Sequence, residues 1–152
     1  MFKLNNNYIA GLFDGEGWIM ISRSKTIKTM KNPAYRLRVG IEITFYDILN
    51  EICKIYGGHI YTRPKKRAIN RKITHTWYRD SENAMNFLKS IENCLFVKKK
   101  QAEIAIEYQE HVSDFTKKNH KKGRELTQEE VDYRESMVQK IRELNSFNPL
   151  RK

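Results

Sequence analysis

A short segment near the start of the chain carries residues that could bind a cation. The segment YIAGLFDGEG (8–17) has apolar residues at helical spacing, which predicts an α-helix. Gly11 and Gly15 lie inside this pattern, although each glycine destabilises a helix by about 1 kcal/mol relative to alanine. Asp14 and Glu16 lie near the predicted C-terminal end, where the partial negative charge of the helix disfavours carboxylates. A bound divalent cation would reverse that balance, so this segment is the first candidate for chemistry.

The charge of the chain indicates a polyanionic partner, most simply a nucleic acid. The 152 residues carry a formal net charge of +11, with a pI of about 9.7. The excess is uneven, because fourteen lysines and arginines accompany four acidic residues between 22 and 80, whereas eight accompany ten between 101 and 147. A basic surface that serves only solubility would not require this concentration.

Several other classes of site are not indicated. Cys53 and Cys94 form no C-x-x-C pair, and the four histidines show no metal-ligand spacing. We therefore expect two free, buried thiols in a reducing compartment. No signal peptide, transit peptide or membrane-spanning apolar run is evident. We expect an intracellular protein with no membrane partner, in a compartment that the sequence does not specify.

The periodicity of the first 80 residues predicts a helix, a β-hairpin, a second helix and a second hairpin. Asn5 or Asn6 can cap the first helix, which we expect to end near residue 13 or 14. The elements that follow are a strand (18–24), a clearly alternating strand (34–45), a helix capped by Asp47 and stopped by Gly57 and Gly58, and the two strands of a second hairpin (59–63 and 73–79).

Helices make up the predicted remainder of the chain. Asp80 or Ser81 can cap a third helix, and residues 95–112 form a fourth, which a polar loop follows. Thr127 and Glu130 have the T-x-x-E spacing of a capping box, which predicts a last helix near the C-terminus. The sequence therefore predicts an α+β fold with the order αββαββα and extra C-terminal helices.

The segment IAGLFDGEG (9–17) matches the nine-residue LAGLIDADG signature at most positions. The differences are isoleucine for leucine, phenylalanine for isoleucine, glycine for alanine and glutamate for aspartate. With the αββαββα order and the later segment KKKQA (98–102), the chain resembles a single-motif LAGLIDADG homing endonuclease. The resemblance covers residues 5–112 well and the C-terminal helix loosely. It implies a single domain over 1–152, with its core at about 5–112 and a helical extension at about 113–152.

The resemblance implies a fold and an activity. Single-motif members are homodimers whose four-stranded antiparallel sheets form a saddle over a long, nearly palindromic DNA site. They hydrolyse both strands across the minor groove with a divalent metal, for which Mg²⁺ is the expected ion. The implied function is that of a site-specific endodeoxyribonuclease acting on double-stranded DNA, encoded within an intron or another mobile element.

The resemblance also assigns roles to individual residues. Glu16 matches the acid that binds the metal, and Gly15 would contribute its backbone carbonyl oxygen. Asp14 matches the first acid of the signature, which we interpret as structural, with hydrogen bonds to backbone amides. Lys98 matches a basic residue that could position the attacking water or balance charge in the transition state. Either of the next two lysines is an alternative to Lys98.

The small residues of the signature are explained if two copies of the first helix pack against each other around a two-fold axis. Without large side chains between them, the two helix backbones can approach closely. The alternative is a helix that packs inside one chain, with Gly15 and Gly17 serving only as its C-cap. The predicted dimer-interface residues are Ala10, Gly11, Asp14 and Gly15.

One position departs from the pattern of the family. Many relatives carry a polar residue, often glutamine, after the second strand, where it organises water in the active site. Alignment through EITFYD places Phe45 at this position, and a phenylalanine side chain cannot hydrogen-bond water. Thr44 or Tyr46 could substitute, or the activity could be reduced.

The family geometry places one face of each hairpin in the DNA major groove, where base edges carry a distinct code. Alternation then selects Ser22, Ser24 and Thr26, then Arg36, Arg38 and Glu42, from the first hairpin. From the second hairpin it selects His59, Tyr61 and Arg63, then His75, Trp77 and Arg79. If Trp77 belongs to the core, the last strand instead presents Thr74, Thr76 and Tyr78. The loop residues predicted to contact phosphates are Lys65, Lys66, Arg67, Arg71 and Lys72.

Three other functions stay open at this point. The same scaffold could serve a catalytically weak or inactive DNA-binding protein, or an intron-splicing maturase with intron RNA as its partner. Phe45 favours such a loss of cleavage, whereas the intact Glu16 disfavours it. A small basic RNA-associated protein of another fold would require the signature to be a coincidence.

Overall fold

Nine regular elements and one short 3-10 turn follow one another in the computed structural model of the protein, which describes residues 3–24, 32–63, 72–119 and 125–146. In chain order they are α1 (Asn6–Glu16), β1 (Gly17–Arg23), β2 (Tyr35–Ile43), α2 (Tyr46–Tyr56), β3 (His59–Thr62), β4 (His75–Asp80), α3 (Ser81–Ile91), the 3-10 turn (Glu92–Cys94), α4 (Lys99–Lys118) and α5 (Gln128–Ser146). The first seven have the predicted order αββαββα.

The four strands form one antiparallel sheet with the order β1-β2-β4-β3. Each predicted hairpin is present, and β2 pairs with β4 to join the two hairpins. Helices cover one face of the sheet, and the residues that point toward them, such as Leu37, Val39 and Ile41 of β2, are fully buried. The opposite face is open. The fold is therefore α+β, as the sequence predicted.

Helix α1 contributes the centre of the core through Ile9, Ala10 and Phe13, all of which are buried. Residues three apart on a helix share a face, so Ala10 points inward together with Phe13, whose ring lies edge-on to Phe87 at 5.4 Å between centroids. The prediction that Ala10 lies at a dimer interface is therefore wrong, because its own chain covers it completely.

Trp77 of β4 is also a core residue and not a DNA contact. Its ring centroid lies 4.8 Å from that of Phe87, and its Nε1 donates a hydrogen bond to the Gly57 carbonyl oxygen at 2.8 Å. Ile41 and Ile60 lie opposite it on the neighbouring strands, on the face that the helices cover. The prediction of base contact by Trp77 is wrong, because a large aromatic ring with a satisfied N–H is stabilised inside this core.

The two C-terminal helices pack against each other and against β1. Helix α4 includes residues 113–118, which the sequence predicted as loop. The Thr127 hydroxyl accepts a hydrogen bond from the Glu130 amide at 3.2 Å, as a cap should. However, the buried Glu130 carboxylate does not complete the capping box, since it binds His111 at 2.8 Å and Arg134 at 2.6 Å. Tertiary packing between α4 and α5 thus redirects this side chain.

The two cysteines are free, but neither is fully buried as predicted. Cys53 is half-buried on α2, where its thiol donates to the Gly58 carbonyl oxygen at 3.5 Å, and Cys94 is exposed in the 3-10 turn. Among the helices that the structure describes, none combines the length and the apolar character needed to cross a membrane.

Candidate functional site

Helix α1 ends directly at the sheet. The Asn5 side chain caps its start by accepting a hydrogen bond from the Tyr8 amide at 2.9 Å. The helix ends at Glu16, and β1 begins at the next residue with no intervening loop. Gly17 makes this junction possible, because a Cβ there would lie 2.4 Å from the ring of Phe13. The junction therefore holds Glu16 at the edge of the open sheet face.

Glu16 lines an open cleft of about 560 Å³ beside the sheet. The other lining residues are Gly15, Gly17, Glu42, Ile43, Thr44 and Thr74. Glu42 accepts a hydrogen bond from Thr76 at 3.3 Å and lies 3.6 Å from Nη2 of Arg63. The exposed Glu16 carboxylate has neither a hydrogen bond nor an ion pair with the residues the structure describes. Glu16 is thus the carboxylate of this cleft that is free to receive a cation.

Asp14 and Lys98, 84 residues apart, are joined in what we call the Asp14–Lys98 clamp. The Asp14 carboxylate accepts hydrogen bonds from the backbone amides of Phe96 at 2.8 Å and Lys98 at 2.9 Å, as the structural interpretation of Asp14 expected. In return, the Lys98 ammonium donates to the Asp14 carbonyl oxygen. The clamp fixes a lysine beside the acidic end of α1.

The Lys98 ammonium lies in a mixed electrostatic environment. Burial lowers the pKa of Lys98, while the negative charges of Asp14 and Glu16 oppose this change. A lysine whose charge is partly desolvated and close to a free carboxylate is typical of a functional site rather than of a solvated surface. The structure does not place either of the next two lysines in this clamp, since both are exposed on the first turn of α4.

We expect the substitution Asp14→Ala to lower the free energy of unfolding by about 2–3 kcal/mol, because two backbone amides lose a charged acceptor. Asp14→Asn, which keeps one carbonyl oxygen, should lose less. Urea denaturation followed by circular dichroism measures both values, with the exposed Asp114→Ala on α4 as a control. If Asp14→Ala were as stable as the unmodified protein, the clamp would have no role in the fold.

The donor atoms at the end of α1 match a divalent cation in type but not in number. Glu16 provides a carboxylate, and the last turn of the helix provides backbone carbonyls, which are the hard oxygen ligands that Mg²⁺ and Ca²⁺ prefer. Within the described residues, however, no group of three or more His, Cys, Asp or Glu side chains could hold a metal ion. The described residues of one chain therefore supply only part of a coordination shell.

Gly11 and Gly15 lie on an open face of α1. They are one helical turn apart, both are exposed, and a Cβ at either position would meet no atom within 4 Å. Nothing in the described part of this chain requires glycine at these positions. Phe96 and Val97, which lie beside the clamp, are 91% and 66% exposed. This end of the molecule thus combines bare helix backbone with exposed apolar side chains.

The open sheet face carries polar and basic side chains from all four strands. Residues opposite each other in an antiparallel pair share a face, so the register places them together. Those of the predicted DNA-contacting residues that lie on this face are Ser22, Arg36, Arg38, Glu42, His59, Tyr61 and Arg63. Thr76 and Tyr78 lie there as well, which agrees with the alternative prediction for β4.

His75 and Arg79 are on the opposite face, together with Trp77. His75 is hydrogen-bonded to Thr62 at 2.8 Å and packs against the ring of Tyr46, while Arg79 lies along the backbone at Gly57. The prediction that both contact bases is wrong, because side chains two apart on a strand point the same way as the buried tryptophan between them.

The remaining predicted contacts divide into two groups. Ser24 lies just after β1, where its hydroxyl accepts a hydrogen bond from the Ala34 amide at 2.8 Å, and Lys72 is exposed before β4. The predicted contacts that lie outside the described residues are Thr26, Lys65, Lys66, Arg67 and Arg71.

Trp18 is also part of this surface, although it is not among the residues predicted from the sequence. Trp18 is half-buried on the open face of β1, where its ring crosses Gly40 of β2. A Cβ at Gly40 would lie 2.3 Å from the indole. The alternation of Trp18, Met20 and Ser22 opposite the buried Ile19 and Ile21 is the signal that could have identified it.

The position after β2 is also clear in the structure. Phe45 lies at the start of α2, is 59% exposed and is not among the residues that line the cleft. Thr44, which carries a hydroxyl group, does line the cleft. Tyr46 packs on His75 instead. Of the two possible substitutes for the missing polar residue, the geometry favours Thr44.

A comparison with known protein families shows to which family the chain belongs. The profile described as LAGLIDADG endonuclease matches residues 9–109, which is more than half of the chain. This chain belongs to the LAGLIDADG endonuclease family. The matched region begins within the signature of α1 and ends inside α4, so it contains Glu16, the sheet and the clamp of this LAGLIDADG protein.

Solved structures of LAGLIDADG homing endonucleases have the same fold. I-CvuI in complex with its target has a TM-score of 0.71 at 15% identity, over 95% of this chain and 83% of that chain. An archaeal intron-encoded enzyme, I-Vdi141I complexed with DNA, has a TM-score of 0.71 at 17% identity, over 97% and 87%. I-GzeII with its DNA target scores 0.65 at 18% identity, over 96% of this chain and 45% of that chain. A comparison with curated proteins gives no match.

Proposed function

We propose that this LAGLIDADG protein is a site-specific homing endonuclease that cuts both strands of a long, nearly palindromic DNA site as a homodimer. The observation that carries the proposal is the unpaired, exposed Glu16 carboxylate in a cleft that opens onto a polar sheet face. A carboxylate at a helix C-terminus is unfavourable by itself, so the presence of Glu16 there favours a role in binding a cation.

The open sheet face supports DNA as the substrate. Its arginines, hydroxyl groups, histidine and glutamate are the side chains that hydrogen-bond base edges in the major groove. The net charge of +11 supports additional, salt-dependent contacts to phosphates. I-CvuI and I-Vdi141I, which share this fold, were both crystallised with DNA.

A divalent cation, with Mg²⁺ expected, is proposed as the cofactor. Glu16 and the Gly15 carbonyl oxygen would hold it, and when bound it would supply electrostatic stabilisation of the attacking and leaving oxygens. Structures of I-CvuI with DNA were obtained in the presence of 2 mM Ca and of 2 mM Mg, the latter with the DNA not cleaved, at 15% and 16% identity to this chain. Lys98, held by Asp14, is proposed to stabilise the negative charge that develops on the phosphate.

The open face of α1 is the surface through which we propose that two copies of the chain form a homodimer. Gly11 and Gly15 would let two copies of the helix pack closely about a two-fold axis, with Phe96 and Val97 beside them. Such packing would bring two Glu16 carboxylates near each other, one for each DNA strand. It would also complete a donor set that one chain supplies only in part.

The direct test is cleavage of a randomised, palindrome-biased duplex library in Mg²⁺. We expect a discrete cut site, which sequencing of the cleaved ends identifies together with its symmetry. Bound but uncut sequences would indicate a DNA-binding protein without nuclease activity. If no DNA sequence were enriched and RNA competed for binding, the maturase alternative would replace the endonuclease.

Removal of the metal is expected to separate binding from cleavage. With EDTA the protein should bind the selected site but leave both strands intact, and Mg²⁺ should restore cutting. Replacing Mg²⁺ with Ca²⁺ should allow binding with little hydrolysis, since Ca²⁺ tolerates looser coordination and orients ligands less strictly. Gel assays of binding and nicking on one labelled duplex measure both quantities. Cleavage that persists in EDTA would contradict a role for a divalent ion.

A binding protein that does not cut is the second candidate function. Phe45 favours it, because an exposed phenylalanine stands where many family members have a polar residue. Thr44 on the cleft wall opposes it by offering a hydroxyl group in the same region. The substitution Phe45→Gln discriminates the two, since it should raise nicking only if the phenylalanine limits catalysis.

A further inference from the structure

Asp80 lies at the start of α3 but does not cap it. It occupies the N-cap position with extended backbone angles, yet its carboxylate accepts no hydrogen bond from the first turn of the helix. Aspartate at this position normally stabilises a helix by such a bond. The next residue, Ser81, has a positive φ of 53°, an unfavourable backbone conformation for a serine. The helix therefore starts without the cap that its sequence could provide.

The Asp80 carboxylate is instead directed to the open sheet face. Its Oδ1 accepts a hydrogen bond from Nε of Arg38 at 2.8 Å, and its Oδ2 lies 3.8 Å from Nη1 of Arg36. Arg38 and Asp80 are direct partners in the pairing of β2 with β4. The side chains are 35% and 29% exposed, and ion pairs this accessible contribute little to stability.

Tyr78 restrains the same arginine from a second direction. The Arg38 guanidinium carbon lies 5.1 Å from the centroid of the Tyr78 ring, within the range of a cation–π contact. The ring of His59 packs against Tyr78 at 5.7 Å. By contrast, among the described residues the Arg36 guanidinium has only its long contact to Asp80, and its side chain is 62% exposed. Of the two arginines on this strand, Arg38 is the one whose guanidinium contacts two side chains, those of Asp80 and Tyr78.

We propose that Asp80 is a positioning residue that orients Arg38 to recognise a guanine in each half of the DNA site. Asp80 takes the Nε side of the guanidinium, which leaves the Nη nitrogens at the tip for the O6 and N7 acceptors of guanine. A phosphate contact would not need a fixed orientation, because phosphates surround the duplex and carry no sequence information. This inference rests on the proposed function.

The test compares the sequence preferences of wild type and variants by selection from the same duplex library. Asp80→Ala removes the acceptor without removing a helix cap, and Arg38→Lys keeps the charge but loses the planar fork. We expect each variant to lose about tenfold or more in preference for guanine at one base pair per half-site. The double variant should lose no more than either single variant, because both act through one contact.

Controls separate orientation from charge and folding. Asp114→Ala removes an exposed aspartate from α4, away from the sheet face, and should leave every preference unchanged. Thermal melting followed by circular dichroism shows whether the variants fold. The affinity of Asp80→Ala for duplexes of unrelated sequence should hold or rise, since a negative charge near DNA is lost.

Two results would overturn the inference. One is an unchanged preference profile in Asp80→Ala, and the other is a uniform loss at every position, which a phosphate contact or a folding defect would produce. If the wild-type protein itself selects no sequence, the proposed function fails and the inference falls with it. A wild type that selects a site while Asp80→Ala keeps the same profile contradicts the inference alone.

Discussion

The Glu16→Gln variant is expected to bind the DNA site selected by the wild type and to cut it more slowly by roughly 10³-fold. Glutamine keeps the size of the side chain but cannot offer a carboxylate to a cation. The change also removes one of the two negative charges that favour the Lys98 cation. Folding should be unaffected, because the Glu16 side chain is exposed and unpaired within the described chain.

Single-turnover nicking and gel-shift assays on one duplex measure these two effects separately. Glu51→Gln is the matched control, since Glu51 is exposed on α2 and, among the described residues, pairs only with Lys54 at 2.6 Å. It should cut at the wild-type rate. A Glu16→Gln protein that cuts equally well would remove the basis of the proposed active site. A variant that loses both binding and cleavage would instead assign Glu16 to DNA binding or folding.

The substitution Gly11→Leu is expected to change dimerisation and chain stability in opposite directions. In the proposed dimer, a leucine on each helix forces the two backbones apart and should weaken association by roughly 100-fold or more. We expect the separate chain to accommodate the leucine, since a Cβ at Gly11 would meet no atom within 4 Å. It should therefore stabilise α1 by about 0.8 kcal/mol through helix propensity alone.

Analytical ultracentrifugation measures the association, and thermal melting at low protein concentration measures the stability of the chain. Cleavage should fall with the dimer, because each strand would need one copy of Glu16. Ser136→Leu places the same bulk on an exposed position of α5 and should leave both association and cleavage unchanged. An unaltered dimer in Gly11→Leu would contradict the assignment of this face of α1.

Local patterns in the sequence were sufficient to predict most of the elements. Two examples are the alternation of residues 35–43 and the 3.6-residue spacing of apolar residues in α1, which are properties of short segments. Both predictions are confirmed, because the apolar residues of each pattern face the core. The signature 9–17 carried the family, which the profile match confirmed. The end of α4 was predicted too early because residues 113–118 are polar apart from Phe115, whose ring packs against Arg134 of α5 in the structure.

Only the tertiary structure could decide which side of β4 lies on the open face of the sheet. His75, Trp77 and Arg79 alternate with Thr76 and Tyr78, and both sets mix polar and aromatic residues, so the composition of the strand did not distinguish them. The two faces are distinguished by the pairing of Trp77 with isoleucines on β2 and β3. A register shift of one residue would move every side chain of the strand to the other face of the sheet.

The candidate site shows the same division. The sequence by itself determined that a carboxylate stands at the end of a glycine-containing helix, because those residue types occur within one short segment. The Asp14–Lys98 clamp, the burial of Ala10 and the pairing of Asp80 with Arg38 join residues that are far apart in the chain or on different strands. Only the tertiary structure decided these contacts, because side-chain partners depend on how the elements pack and not on the periodicity of any one of them.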